Sequence, residues 1–270
     1  MPRLRDLLND PSLPRLESRM LLEHVLSKPR AWLLAHDEDE IDPSAQAAYR
    51  ALAARRTAGE PMAYLLGERE FMGHVFHVTP DVLIPRPDTE LLVETAISWL
   101  AGKPGARVLD LGTGSGAIAI SVALACPDAE LNVTDRSPAA VDVARGNAVR
   151  LGAQVRFLQG DWYDAVPQDE RFDLIVSNPP YIASADPHLA QGDLRFEPRG
   201  ALTDGADGLA DLKRIIAGAP DRLRPGGALW LEHGWDQAER VRTLLKQAGF
   251  KGVKSHNDLA GIQRISGGNL

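Results

Sequence analysis

The 270-residue chain has one cysteine, no long apolar run and no excess of positive charge. A single thiol, Cys126, builds neither a disulfide framework nor a thiolate metal site. Its place inside "AIAISVALAC" predicts a small core residue. No stretch approaches the roughly 20 apolar residues that span a bilayer, so no membrane association is expected. The first residues, "MPRLRDLLND", are charged and hold no apolar signal segment, which points to the cytoplasm. Net charge is −7, and neither the first 75 residues nor the remainder is basic. A broad electrostatic grip on nucleic acid is therefore not advertised. Internal repeats and low-complexity tracts are also missing. What is present, 44% hydrophobic and 25% charged residues, is the composition of a globular chain with a substantial core.

Residues 1–70 carry helical patterning. "SRMLLEHVL" sets Met20, Leu21, Leu22, Val25 and Leu26 at helical spacing, and "PSAQAAYRALAARRTAGEP" repeats the pattern between proline and glycine punctuation. The texture then changes. "EFMGHVFHV" alternates as strands do, with Gly73 at the turn, and proline-rich "TPDVLIPRPDTE" follows. Residues 71–87 are thus expected to be a hairpin and linker, and residues 88–270 a second domain. There, strand candidates "RVLDL", "AELNVTD", "VRFLQ", "FDLIVS" and "GALWLEH" alternate with helical stretches, the pattern of a parallel sheet covered on both faces. "KGVKSHND" and "IQRIS" lie too close together for a helical crossover and predict an antiparallel finish.

"VLDLGTGSGAIAI" reads as strand, glycine loop (Gly112, Thr113, Gly114, Ser115, Gly116) and helix. Glycines there permit a tight turn and close backbone approach of a ligand to the helix start. The spacing is G-x-G-x-G, not G-x-G-x-x-G. Asp110 stands at the strand end, where an acid suits an ammonium better than a pyrophosphate. Asp135, 23 residues beyond Gly112, ends the next strand and is placed to bind ribose hydroxyls; taken alone it serves equally as an acid at a helix start. Asp161 could accept from an adenine amino group and Trp162 could cover a purine face, although a lone tryptophan fits a core as well. A nucleoside with an amino-acid tail, S-adenosylmethionine, fits the whole set.

"FDLIVSNPPY" ends a strand at Asn178. Residues before proline are held extended, so Asn178 and Pro179 are both stiff. Pro179 and Pro180 carry no N–H, leaving acceptors and few donors. The Asn178 side-chain carbonyl and the Pro179 backbone carbonyl can together address one NH2 group. Such a nitrogen is a poor nucleophile; orientation toward a methyl donor is worth up to roughly 7–11 kcal/mol in the best intramolecular models. Tyr181 offers an aromatic wall. The plainer alternative is a loop marked by N-P and P-P.

These residues resemble the HemK/PrmC family of protein-(glutamine-N5) methyltransferases, which modify peptide chain release factors. "NPPY" is shared with methyltransferases of adenine N6 and guanine N2; the more specific features are "GEPMAYLLGEREF", "VLIPRPDTELLVE", "GDLRFEPRGAL" and "LEHGWDQ". The resemblance implies a class I, Rossmann-like seven-stranded α/β methyltransferase domain preceded by a small helical domain for substrate recognition. By the same resemblance, Gly112–Gly116, Asp135, Trp162 and Asn178 bind S-adenosylmethionine, which leaves as S-adenosylhomocysteine. Asn178, Pro179, Pro180 and Tyr181 hold the glutamine of the release factor's Gly-Gly-Gln loop, with Asn178, Pro179 and Tyr181 catalytic. A monomer is expected, with no metal: His74, His77 and His233 form no convincing ligand set. Arg86 and Glu90 either shape the site rim or form a linker ion pair and helix start, with Asp88 or Thr89 as the cap; Arg195 and Glu197 carry the same ambiguity. The competing readings are a nucleic-acid amino-methyltransferase, disfavoured by charge and linker, and an NAD-dependent oxidoreductase, disfavoured by the glycine spacing and Asp110.

Overall fold

A computed structural model describes residues 2–270. The chain divides into two compact units, one ending at Glu68 and the other spanning Arg69–Leu270. The first is helical: α1 (Leu4–Leu8), α2 (Arg15–Leu26), α3 (Arg30–Ala35), α4 (Pro43–Thr57) and α5 (Met62–Leu66). Leu7, Leu21, Leu22, Leu33 and Tyr49 form its centre. α4 is well started: Asp42 accepts from the Ser44 and Ala45 amides, with Pro43 in the first turn.

The second unit opens with a hairpin, β1 (Glu68–Phe71) and β2 (His74–His77). The unit boundary falls ahead of the hairpin expected at 71–87 because Phe71 and Phe76 are buried in this unit's own core. Gly73 at φ +76° makes the turn. There follow α6 (Pro87–Leu100), β3 (Arg107–Leu111), α7 (Ala117–Ala125), β4 (Glu130–Asp135), α8 (Pro138–Leu151), β5 (Val155–Gln159) and β6 (Phe172–Ser177). After β6 come 3-10 turns at Pro187–Ala190 and Gly192–Phe196, then α9 (Arg199–Leu202), α10 (Ala210–Gly218), β7 (Leu223–Glu232), α11 (Ala238–Gln247), β8 (Lys251–Asn257) and β9 (Gln263–Asn269).

β3 to β9 form one seven-stranded sheet in the order β5-β4-β3-β6-β7-β9-β8. β3–β7 are parallel, and β9 pairs antiparallel with both β7 and β8. The central strands are apolar on both faces because helices cover both faces; Val108, Leu109, Leu174 and Ile175 are fully buried. α7 is apolar all round and correspondingly buried. Cys126, at the C-terminal end of α7, packs against the core while remaining partly buried. β9 runs on through Gly267 and Gly268, where a Cβ at 267 would lie 2.3 Å from the Leu229 carbonyl oxygen. Strand order reverses between β3 and β6, the switch point at which ligands bind in open α/β sheets.

Candidate active site

Register brings the strand ends level. Leu111 lies opposite Thr134 on β4 and Ser177 on β6, and Asp135 lies opposite Gln159 on β5. From these ends the chain delivers the glycine loop, Asp135, Trp162 and Asn178 to one place. Gly112, Gly114 and Gly116 all have left-handed backbones. The Gly112 and Thr113 amides donate to the Thr134 carbonyl at 2.9 and 3.0 Å, and the Gly114 amide donates to Asp135 Oδ2 at 2.9 Å. Asp135 Oδ1 accepts from the Ser137 amide at 2.9 Å. Each carboxylate oxygen retains capacity for another donor.

A cavity of about 230 Å³ opens here, within the second unit. Gly112, Thr113, Gly114 and Ser115 line its floor, together with Asp135, Trp162, Asn178 and Pro180. Val82, Leu83, Pro85, Arg86 and Thr89 add to the wall from the segment entering α6, and Pro198, Gly200 and Ala201 from the start of α9. Three expected site residues are not on this wall. Gly116 acts in packing: a Cβ there would meet Ile120 at 2.6 Å and Ala144 at 3.2 Å, so glycine lets α7 approach α8. Pro179 is buried and does not line the cavity. Tyr181 turns its phenol inward, Oη lying 3.2 Å from Glu232 Oε1.

Trp162 holds an uncommon positive φ of 50°. Its ring lies against the loop, so that a Cβ on Gly112 would come within 2.9 Å of it. Asp211 lies beside the indole, and burial pushes its carboxyl up. Asp161 lines the cavity while pairing with the half-exposed Arg214. Asp110 does not reach the cavity wall. It is completely buried beneath the loop, where Oδ2 accepts from Thr113 Oγ1 at 2.7 Å and Oδ1 has no partner among the described residues. Burial, outweighing that hydrogen bond, pushes its carboxyl up to about 7.

Arg86 and Glu197 resolve into both of their alternatives. The Glu197 side chain is fully enclosed, accepts from the Ile84 amide at 3.0 Å and pairs with the Arg86 guanidinium on the cavity wall. Burial still raises its carboxyl above the ordinary range. Glu90 accepts from the Met72 amide at 3.2 Å and so ties the hairpin to α6. Arg195 donates to the Gly192 carbonyl and stacks over Phe196. Neither Asp88 nor Thr89 caps α6: the N-cap position is Arg86, with Pro87 following, and no side chain closes it. Asp88 instead faces Arg264 at 3.2 Å, and Thr89 Oγ1 accepts from the Asn178 carboxamide nitrogen at 3.2 Å.

Glu232 and Gln237 are residues that sequence reasoning did not single out, and Thr89 was considered only as a helix cap. Gln237 donates to the carbonyls of Tyr181 and Gly208 at 2.9 and 3.1 Å and accepts from the Gly234 amide at 2.8 Å. Among the described residues, no cluster of three or more His, Cys, Asp or Glu could hold a metal. No helix of the described residues is long and apolar enough to cross a membrane.

Comparison with known proteins agrees with this arrangement. The PrmC N-terminal domain family model matches residues 3–67, and the methyltransferase small domain model matches residues 87–193. A release factor glutamine methyltransferase of Bordetella pertussis is 71% identical over the full length of both chains. The chain belongs to the release factor glutamine methyltransferase family. A Burkholderia pseudomallei member of that family is 57% identical over 98% of this chain and 95% of its own. A T. thermophilus 16S rRNA methyltransferase, solved with AdoMet and guanosine, has 24% identity and a TM-score of 0.56, covering 75% of this chain and 49% of that one. At that distance the likeness concerns fold: the class I S-adenosylmethionine-dependent methyltransferase fold, Rossmann-like and seven-stranded, which this family member shares.

The cavity suits that methyl donor chemically. A Cβ on Gly114 would meet nothing within 4 Å, so the space above the loop is open to a ligand. The wall offers a carboxylate for ribose hydroxyls at Asp135 and an aromatic surface at Trp162.

Proposed function

We propose that this chain transfers the methyl group of S-adenosylmethionine to the side-chain amide nitrogen of the glutamine in the Gly-Gly-Gln motif of peptide chain release factors. One observation carries the reading of the site. The Asn178 carboxamide has its NH2 committed to Thr89, which leaves Oδ1 as its free end at the cavity wall.

In this reading Gly112–Ser115, Asp135, Trp162 and Asn178 hold S-adenosylmethionine, which when bound supplies an electrophilic methyl group on a sulfonium. Asn178 Oδ1 and the Pro179 carbonyl each accept one hydrogen of the glutamine amide. Two accepted hydrogens fix the nitrogen's orientation and raise its electron density. Two successive prolines keep competing backbone donors away. Asn178 is neutral, so it accepts hydrogens without acting as a strong base; the proton is lost from the methylated nitrogen, where it is acidic. Pro180 forms the wall for the flat amide, and Glu232 and Gln237 anchor Tyr181.

The helical unit ending at Glu68 serves recognition of the protein substrate in this account. An acidic chain acting on a translation factor is assigned to the cytoplasm, as a monomer. The net charge of −7 favours a protein substrate over a nucleic acid. The test is methyl transfer from labelled S-adenosylmethionine in parallel reactions with a release factor, its Gln→Ala variant at the motif, and ribosomal RNA or DNA. Label is expected in the intact release factor alone. Label in nucleic acid, or equal label in the Gln→Ala variant, overturns the proposal.

A further inference from the structure

Beneath the Asn-Pro-Pro-Tyr segment lie two buried polar contacts, one at each of its ends. β6 and β7 run parallel with Ser177 opposite Leu231, so the next residues, Asn178 and Glu232, stand side by side where the strands end. Glu232 is 1% exposed. Its Oε1 lies 3.2 Å from Tyr181 Oη, its Oε2 has no partner within bonding distance among the described residues, and the Thr89 hydroxyl faces the carboxyl closely enough to stabilise its ionised form. Thr89, itself buried, accepts from Asn178 Nδ2.

The sequence around Thr89 makes this arrangement specific. A threonine in the first turn of a helix commonly bonds backbone amides at the cap. Here Pro87 sets the first turn, Arg86 occupies the cap without closing it, and the hydroxyl is left for Asn178. A buried carboxyl with an unpartnered oxygen is costly unless it has a use.

We propose that Thr89 and Glu232 are positioning residues for methyl transfer: Thr89 fixes which end of the Asn178 carboxamide faces the substrate, and Glu232 holds the Tyr181 hydroxyl. A carboxamide is nearly symmetric in shape, so only its hydrogen bonds set its orientation. Turned over, Asn178 would present NH2 to the substrate's NH2. With Thr89 accepting from nitrogen, Oδ1 is the only end left for the glutamine. The charged groups around Glu232 fit the role: Tyr181 donates, while the pair Asp88–Arg264 balances a negative and a positive charge nearby. Burial raises both the Glu232 carboxyl and the Tyr181 phenol, so the tyrosine stays the donor.

This inference rests on the proposed glutamine reaction, and its test has two readouts. In the free protein, the Asn178 side-chain NH2, assigned by its loss in Asn178→Ala, is expected to show slowed hydrogen exchange by NMR. That protection should vanish in Thr89→Val and persist in Thr89→Ser, and this readout stands even if the substrate is wrong. In the methyl-transfer assay, Thr89→Val should lower kcat about tenfold, the loss of one orienting hydrogen bond. KM for S-adenosylmethionine should change little, and Thr89→Ser should recover most of the loss. Glu232→Gln should also lower kcat with little effect on KM. Protection unchanged in Thr89→Val, or a Thr89→Val loss that appears in KM and is not recovered by serine, overturns the inference. A wild-type protein that shows the Thr89-dependent protection but does not methylate glutamine places the failure in the proposed reaction instead.

Discussion

Replacing Asp110 with asparagine should make the stability of the α/β unit less sensitive to pH, by an amount the burial of this carboxyl sets. Asp110 has no exposed surface, one oxygen bonded to Thr113 and the other without a partner among the described residues. Burial pushes it from the ordinary 3.8 up to about 7. Because the folded value is the higher one, the folded state binds the proton more tightly. The resulting stabilisation is fully present below pH 3.8 and is lost as pH rises through about 7. At about 1.4 kcal/mol per pH unit, the wild-type chain retains roughly 2–3 kcal/mol of it at pH 5 and almost none at pH 8. Asparagine has the same shape and does not titrate, so any constant cost of the substitution is the same at both pH values. Glu232, also raised to about 7, titrates in both proteins and cancels. Urea unfolding followed by tryptophan fluorescence reports this unit well, since Trp99, Trp162, Trp230 and Trp235 all lie in it. The stability of Asp110→Asn relative to wild type should rise by about 2–3 kcal/mol between pH 5 and pH 8. An identical difference at the two pH values would refute the reasoning.

Four further substitutions test other parts of the site. Asn178→Ala should lower turnover about 100-fold in the methyl-transfer assay while S-adenosylmethionine binding by calorimetry changes far less, because an acceptor aimed at the reacting nitrogen is removed. Gly112→Ala meets both a left-handed φ of +73° and the Trp162 ring, so it should cost about 1–3 kcal/mol in denaturant unfolding. Gly114→Ala, with the same backbone strain but open space around its Cβ, should cost less stability and instead weaken S-adenosylmethionine binding. Glu197→Ala strands Arg86 and the Ile84 amide beside the cavity; a loss of about 2–4 kcal/mol is expected by urea unfolding.

Legibility followed the reach of each interaction along the chain. The glycine loop, Asp135 and Asn178 could be found because each ends a strand, and a parallel sheet aligns strand ends. Their local chemistry is written in adjacent residues. The contacts Asn178–Thr89 and Tyr181–Glu232 were not legible, since they join positions 89, 178, 181 and 232 through the fold. Their only sequence signal was an acid closing the apolar strand "GALWLEH". Tyr181 was read as a wall facing the substrate, and only the structure shows its phenol anchored inward on Glu232. Helix starts misled for a related reason. Asp88 and Thr89 have the right chemistry for a cap, but Pro87 had already set the first turn, leaving both side chains for longer-range partners. In the tail "ISGGNL", Gly267 is required by close packing against Leu229 and Trp230, which no local pattern announces.

The central claim is the chemistry at Asn178, and peptide mass mapping of a release factor treated with this protein and S-adenosylmethionine addresses it most directly. The account predicts a gain of one methyl group, placed by fragment ions on the side-chain amide of the glutamine in Gly-Gly-Gln and formed about 100-fold more slowly with Asn178→Ala. A methyl group on any other residue, or modification by Asn178→Ala at the wild-type rate, would contradict it.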